Sequence, residues 1–432
     1  MRVTVFGLWH LGCVTAACLA EAGHQVIGLD LDAGVVHQLH HGKPPLHEPG
    51  LAELIQICLA RGALTFTTDA VAAVHDSDVV WVAFDTPVND DDEADVAWVE
   101  KQIDAIGPAL QPGTVVLISS QVPVGFTAKA ERTWDERGLR FAVSPENLRL
   151  GKALECFRKP ERIVVGCRDE ETRTVLRGLL QPFCANLLWM SVESAEMTKH
   201  AVNAFLATSV TFINELSRIC EAVGADAKEV ERGLKTESRI GPKAYLSPGG
   251  AFAGGTLARD IRFLIDLSQP QGVATPFFRG VWASNNIHKE WIRDKLHALL
   301  GDVAQPVVAM LGLTYKPGTN TLRRSSSIEL CRWLRDQGIR VKGYDPAIGA
   351  LPEDLDSLLQ LCDSPAEVLA GADVAVIATE WPEFKGFPAD LFTQAMRRPW
   401  VIDQNHFLAA ILAGDPRIRY QATGVSRPPL AA

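Results

Sequence analysis

From residue 191 to residue 222 the chain runs "SVESAEMTKHAVNAFLATSVTFINELSRICEA" with neither proline nor glycine. Its apolar residues recur at helical spacing. A single helix of that length extends ~48 Å at 1.5 Å per residue, long enough to connect two domains. Before it, strand and helix alternate. "RVTVFG", from residue 2, is a short apolar strand. "LGCVTAACLAEAGH" reads as a helix ending at Gly23, and "QVIGLD" as a second strand ending in Asp30. Together they make one βαβ unit of about 30 residues. "DVVWVAF" (78–84), "GTVVLISS" (113–120), "RFAVS" and "RIVVG" continue as strands, with helices near 95–110 and 126–137. After the long helix the helical pattern persists to about residue 300, broken by a glycine-rich loop. Alternation then resumes. "QPVVAMLGLTY" is a strand, "SSSIELCRWLRDQG" a helix ending at Gly338, "RVKGYDP" and "ADVAVIATE" are strands, and "PWVIDQN" closes the series.

The pattern implies an α/β fold: two Rossmann-like α/β domains joined by a long central helix and a helical middle domain. The expected boundaries are 1–190, 191–300 and 301–432. The tail "GVSRPPLAA" is expected to be flexible. The net charge of −10 argues against a nucleic-acid partner. It leaves phosphate ligands open, because backbone N–H groups bind phosphate without net positive charge. No apolar run reaches ~18 residues, so no membrane partner is expected. "LGCVTAACLA" follows a strand and has only Arg2 before it, so it is read as a core helix rather than a signal peptide. The nine cysteines form no CxxC pair and are odd in number. Reduced, mostly buried thiols in a cytoplasmic protein are expected.

The first strand is followed by "GLWHLG", residues 7–12. A dinucleotide-binding turn reads G-x-G-x-x-G, with an acid at the end of the next strand. Gly7 and Gly12 match the outer glycines. Asp30 is placed for a ribose 2′-hydroxyl, which favours NAD. Trp9 occupies the middle glycine's place, where the pyrophosphate normally nears the backbone. Either the turn binds a dinucleotide with Trp9 directed away or stacked beside it, or the unit is only a scaffold.

The long helix carries Glu196, Lys199 and Asn203 at i, i+3 and i+7, on one face. A lone lysine there would read as a solvated face. A polar stripe on an otherwise apolar central helix should have partners. Around these residues the chain resembles the UDP-glucose/GDP-mannose dehydrogenase family, the nucleotide-sugar 6-dehydrogenases. The resemblance runs from residue 2 to about 407. It rests on "SAEMTKHAVNAFLATSVTFINEL", "GHQVIGLDLD", "PPLHEPGL", "SSQVPVGFT", "SPENLRLGKAL" with "ERIVVG", "RIGPKAYLSPGGAFAGGTLARDI", "LGLTYKPGTNTLRRSSS" and "GYDP".

The resemblance implies NAD-dependent oxidation of a sugar C6 alcohol, through an aldehyde to a carboxylate. It places Lys199 and Asn203 at the reacting centre, the lysine stabilising a developing oxyanion. Glu146, in "SPEN", matches a carboxylate that handles water or a proton, and Asp260 an acid that orients water. Gly7, Trp9, Leu11, Gly12, Asp30, Thr86, Gln121 and Arg323 fall at cofactor positions. Tyr245, Ser247, Gly249, Gly250, Gly254 and Lys316 fall at nucleotide-sugar positions. A UDP-type sugar is the default substrate, and a homodimer through the central helices is implied.

The chain also departs from the family. Where the family loop reads G-G-S-C-F-x-K-D, the nucleophilic cysteine is Thr256 and the lysine is Arg259. Thiolate is a good nucleophile near neutral pH, and a threonine hydroxyl has no accessible anion without a strong base. Covalent aldehyde capture at Thr256 is therefore not expected. The threonine of "STVP" is Gln121, "T-D-D-x-R-E-S" reads "TNTLRRS" with Arg323 kept, and the arginine of "D-x-R-N" is Asn405. Three readings follow: an NAD-dependent dehydrogenase without a covalent cysteine adduct, which either carries the aldehyde onward as its gem-diol or stops after one hydride at the 6-aldehyde; a redox-neutral epimerase-like enzyme that retains NAD; and a non-catalytic nucleotide-binding homologue. The retained Lys199, Asn203, Glu146 and Asp260 favour the first.

Overall fold

The computed structural model describes residues 1–87, 94–253 and 256–425. The chain forms two compact units, Met1–Val202 and Asn203–Ala432. The long helix is Val192–Val223, and the division between the units falls within it.

The first unit holds an eight-stranded sheet. Its strands are β1 (Arg2–Phe6), β2 (Gln25–Leu29), β3 (Leu64–Thr67), β4 (Val79–Val82), β5 (Val115–Ile118), β6 (Arg140–Val143), β7 (Ile163–Cys167) and β8 (Leu187–Met190). The spatial order is β3-β2-β1-β4-β5-β6-β7-β8. A parallel sheet covered on both faces needs strands that are apolar throughout. β4 and β5 are buried along their whole length, and β1 from Val3 on. Val3, Val5, Val79 and Trp81 enter one core, whereas Phe6, Val80 and Val82 enter the core on the other face. The helix His10–Glu21 belongs to the first core, with Leu11–Ala20 buried without a break. This is the run that superficially resembles a signal peptide. Its alanines and cysteines let it lie close to the sheet.

β7 pairs antiparallel with β6, Ala142 with Cys167 and Val143 with Gly166, so β7 and its parallel neighbour β8 run opposite to the other strands. A side chain on Gly166 would start 2.8 Å from both Val192 Cα and Ala195 Cβ. Glycine there lets the start of the long helix lie on the strand, and Val192 and Ala195 share a small core with Val143 and Val164.

In the second unit a helical segment precedes a six-stranded, all-parallel sheet. The helices after the long one are Ala227–Thr236, Leu257–Ser268 and Pro276–Leu300. The strands are β9 (Val307–Leu311), β10 (Arg340–Tyr344), β11 (Gln360–Leu361), β12 (Val374–Ile377), β13 (Trp400–Ile402) and β14 (Arg419–Gln421), in the order β11-β10-β9-β12-β13-β14. Apolar clusters pack on its two faces, and a third cluster lies among the helices around Ala204, Ala207, Phe252 and Ile261.

The structure corrects the sequence reading at the sheet edges. β3, β8, β11 and β14 were not expected, and β14 lies beyond "PWVIDQN". All four are two to four residues long, too short for a periodicity signal. Gly424, the first residue of the expected flexible tail, is held in place. Ala227 N donates to Gly424 O at 2.9 Å and Gly424 N to Glu221 Oε1 at 2.8 Å. Residues 426–432 lie outside the described residues.

Candidate active site

In open α/β sheets, ligands bind beyond the carboxyl ends of the strands where the strand order reverses. In the first unit that point lies between β1 and β4, and the turn there is Gly7–Gly12. Gly7 has φ +96°, and a Cβ on it would meet the Phe84 ring at 2.4 Å. A Cβ on Gly12 would lie 1.7 Å from Gly7 O. Both outer glycines are therefore sterically required. Trp9 has φ −86° and ψ −147°, so its backbone makes no demand for glycine, and its side chain is exposed (43 %). No side chain caps the helix His10–Glu21, so its first amides remain available to an anion. Leu11 is buried in the core beneath the turn. Asp30 accepts Leu8 N at 2.7 Å and Asp32 N at 3.0 Å, leaving lone pairs for a further donor. Thr86 Oγ1 donates to Gln121 O at 2.7 Å, joining the segments beyond β4 and β5. The cradle, the free helix-start amides and the acid fit a dinucleotide.

The stripe on the long helix divides its tasks. Glu196 is 2 % exposed and accepts Gly125 N at 2.6 Å and Thr127 N at 3.0 Å. It thus caps the helix Phe126–Trp134, whose own N-cap is a glycine. Burial pushes its carboxyl above the ordinary range. One turn on, Lys199 Nζ donates to Glu146 O at 2.7 Å and lies 3.4 Å from Glu146 Oε1. Glu146 Oε2 accepts Leu148 N at 2.8 Å, which fixes the carboxylate. Ser120, Gln121, Glu146, Glu196 and Lys199 line a cavity of ≈ 10 Å³, about the room one water needs.

In the second unit Asn203 Nδ2 donates to Asp260 Oδ2. Both side chains are buried, Asp260 completely. Asp260 lies in the first turn of the helix Leu257–Ser268, whose N-cap is Thr256. Thr256 is exposed and its hydroxyl caps nothing. Arg259 is buried. Gly254 lies outside the described residues.

The glycine loop before Thr256 is gripped by side chains from several elements. Asn214, on the long helix, takes Gly249 N at 3.0 Å and gives to Gly250 O at 3.0 Å. Asn285 makes the same double bond with the main chain of Phe252, both at 3.0 Å. His288 Nε2 lies 2.8 Å from Gly249 O, and burial holds the ring below its ordinary basicity. Because a carbonyl oxygen only accepts, Nε2 is the donor there. Asn405 Oδ1 takes Gly250 N at 2.7 Å. A Cβ on Gly249 would meet that oxygen at 2.3 Å. Asn214, Asn285 and His288 escape sequence reasoning. Their one signal is polar residues on apolar helix faces, with Asn285 and His288 at i and i+3.

This loop borders a cavity of ≈ 590 Å³, within the size range of ligand pockets. The carboxyl ends of β9, β12 and β13 supply Tyr315, Lys316, Glu380, Gln404 and Asn405 to it. Tyr245, Ser247, Gly249 and Gly250 line it, as does Lys316. Burial raises the Tyr315 hydroxyl. Ser247 also accepts from Lys228 Nζ at 3.2 Å. Arg323 is exposed and does not border this cavity. No cysteine lines either cavity. All nine are free of disulfides, and burial pushes the Cys18 and Cys331 thiols up to about 12. Among the described residues, no group of three or more His, Cys, Asp or Glu side chains is arranged to hold a metal.

Comparison with known proteins accords with this geometry. Residues 1–184 match the NAD binding domain of the UDP-glucose/GDP-mannose dehydrogenase family, residues 193–287 its central domain, and residues 309–410 its UDP binding domain. A UDP-glucose 6-dehydrogenase of Rhizobium meliloti is 35 % identical over 435 residues, covering 98 % of this chain and 99 % of that protein. One of Pseudomonas aeruginosa is 34 % identical over 446 residues, covering 99 % and 98 %. The solved UDP-glucose dehydrogenase of Pyrobaculum islandicum superposes with a TM-score of 0.88 at 30 % identity, covering 98 % of each chain.

Proposed function

The chain belongs to the UDP-glucose/GDP-mannose dehydrogenase family, and from that premise we propose that it oxidises the C6 alcohol of a UDP-type sugar with NAD, without a covalent cysteine adduct. The observation that carries this reading is the pairing of Lys199 with Glu146 and of Asn203 with Asp260 on successive turns of one helix. NAD, when bound, supplies the hydride acceptor. Gly7, Leu11, Gly12 and Asp30 hold it, with Trp9, Thr86 and Gln121 around it and Arg323 assigned to it by resemblance alone.

The roles follow from chemistry. Lys199, docked on a main-chain carbonyl, is a fixed cation for the developing oxyanion. Glu146, close to that cation, takes the proton released from the alcohol or from water. Asp260, oriented by Asn203, holds a water against the aldehyde. Because Thr256 offers no thiolate, the aldehyde is carried onward as its hydrate or released after the first hydride, and the stoichiometry below separates the two. Tyr245, Ser247, Gly249, Gly250, Gly254 and Lys316 hold the nucleotide sugar. In functional terms the segments are 1–190 for the cofactor, 191–300 for dimerisation and 301–432 for the nucleotide.

A homodimer is part of the proposal. Phe205 (71 % exposed), Phe212 (50 %), Ile219 (54 %) and Val223 (71 %) form a stripe on the long helix, and an exposed apolar stripe of this kind marks an association surface. No described helix is long and apolar enough to cross a membrane, and we place the protein in the cytoplasm.

The test is stoichiometry. Purified protein is mixed with NAD and UDP-, GDP- and dTDP-sugars, and NADH formed per sugar consumed is counted. Two NADH mean full oxidation through the hydrate, and one means an aldehyde product. None with a changed sugar means redox-neutral chemistry and overturns the proposal, as does NAD binding without turnover of any sugar.

A further inference from the structure

The cavity of the second unit is lined by charges of both signs. Lys289, Arg293 and Lys316 bring cations to it, and Glu329, exposed on the helix Ser326–Asp336, brings a carboxylate. Glu380, just beyond β12, brings a carboxyl, and it is bonded by a neutral partner, the Asn405 side chain. Asn405 has already committed Oδ1 to Gly250 N at 2.7 Å. Only its NH₂ group remains to donate to Glu380. The glycine loop thus fixes Asn405, and Asn405 fixes the carboxyl.

We propose that Glu380 is a specificity-determining residue of this cavity, accepting a pair of hydrogen bonds from a vicinal diol of the nucleotide sugar. The inference rests on the function proposed above. A diphosphate pairs with the cations and stays away from the carboxylates, because like charges at contact distance repel. The uncharged part of the ligand therefore faces Glu380. That part is ribose or hexose, and both present adjacent hydroxyls. Two carboxylate oxygens match two such donors, and the ionised acceptor makes the stronger bonds.

The groups facing Glu380 predict a pH signature. Burial raises its carboxyl, the Asn405 bond opposes the rise, Asp403 beyond β13 adds to it, and Lys385 opposes it. Lys385 is drawn over the Phe407 ring, 4.6 Å from its centroid. The carboxyl therefore gains its proton above the ordinary glutamate range, and the diol then loses its ionised acceptor. KM for the nucleotide sugar therefore rises as pH falls through the titration of this carboxyl, which lies above the ordinary glutamate range.

The test uses the full chain with NAD and UDP-glucose. Glu380→Gln, which keeps shape and loses charge, is expected to raise KM about tenfold, or ~1.4 kcal/mol, with a much smaller change in kcat. Its KM is expected to be flat with pH where that of the unaltered protein is not. The 2′-deoxy analogue of UDP-glucose locates the diol. If the effect of the substitution vanishes with that analogue, Glu380 holds the ribose; if it persists, Glu380 holds the hexose. Equal KM for both proteins across the pH range overturns the proposal. Should Glu380→Gln fail to fold, a pH-independent KM of the unaltered protein does the same. Turnover by the unaltered protein keeps the dehydrogenase reading intact in either case. Absence of both binding and turnover would sink that reading first.

Discussion

The turn after β1 and the turn after β9 are built to one plan. Each begins with a left-handed glycine, Gly7 at φ +96° and Gly312 at φ +93°. Each packs that glycine on the segment beyond the adjoining strand, at Phe84 and at Thr379. In each, the next residue is a leucine whose amide donates to an aspartate at the end of the neighbouring strand, at 2.7 Å for both Leu8–Asp30 and Leu313–Asp345. Even the glycines of "GLD" and "GYD" agree, since Gly28 lies under Leu8 and Gly343 under Leu313.

The difference lies in what each aspartate has left to give. Asp345 is 2 % exposed. Its Oδ2 accepts Leu313 N, Thr314 N, Thr314 Oγ1 and Trp381 Nε1, and its Oδ1 accepts Ala347 N. Asp30 is half-buried and bonds Leu8 N and Asp32 N. The first turn also enters its helix at His10, whereas the second runs through Tyr315 and Lys316 before the helix Ser326–Asp336 begins. One acid is free to meet a ligand, and its counterpart is consumed by the fold. The same motif therefore builds a cofactor turn in one sheet and a platform for cavity residues in the other.

The contrast can be attacked at four positions. Gly12→Ala places a carbon against Gly7 O and should have the largest effect, a loss of about 3 kcal/mol together with loss of NAD binding by calorimetry. An unchanged melting curve would mean the turn is looser than described. Asp345→Asn should cost about 2 kcal/mol, because a buried acceptor set is half lost. Its KM for NAD should not move, and a shift there would erase the distinction between the two acids. Asp30→Asn should do the reverse, raising KM for NAD about tenfold, the equivalent of ~1.4 kcal/mol, while the melting temperature stays within a few degrees. Trp9→Gly should have the smallest effect. It adds backbone freedom worth about 0.5–1 kcal/mol, and the KM for NAD is expected to change less than tenfold, since the turn's amides and Asp30 are untouched.

The plan of the molecule was legible because it is written in local patterns. β1, the first helix and β2 follow from an apolar run, a glycine turn and a second apolar run. The long helix follows from the absence of breakers. Short edge strands such as β11 carry no such signal and form because a neighbour's main chain is waiting. The candidate site was legible only in its polar residues of unusual placement, Lys199 and Asn203. Their partners depend on how loops fold back, and so does the difference between Glu196, which caps a helix, and Lys199, which faces Glu146. The grip of Asn214, Asn285 and His288 on the glycine loop joins residues 36 and 39 positions apart, as for Asn214–Gly250 and His288–Gly249. Spacing within a helix does not encode such distances. Asp30 and Asp345 teach the same lesson, since "GLD" and "GYD" read alike until their donors are counted.

The cysteines of this protein are buried, apart from the half-buried Cys156, and none borders the two cavities described. Thiolates are what hydrogen peroxide attacks first, and buried, protonated thiols are slow targets. In the proposed reaction the sugar cavity presents no thiol for an oxidant to attack. Turnover is therefore expected to withstand a dose of hydrogen peroxide that leaves the buried thiols reduced.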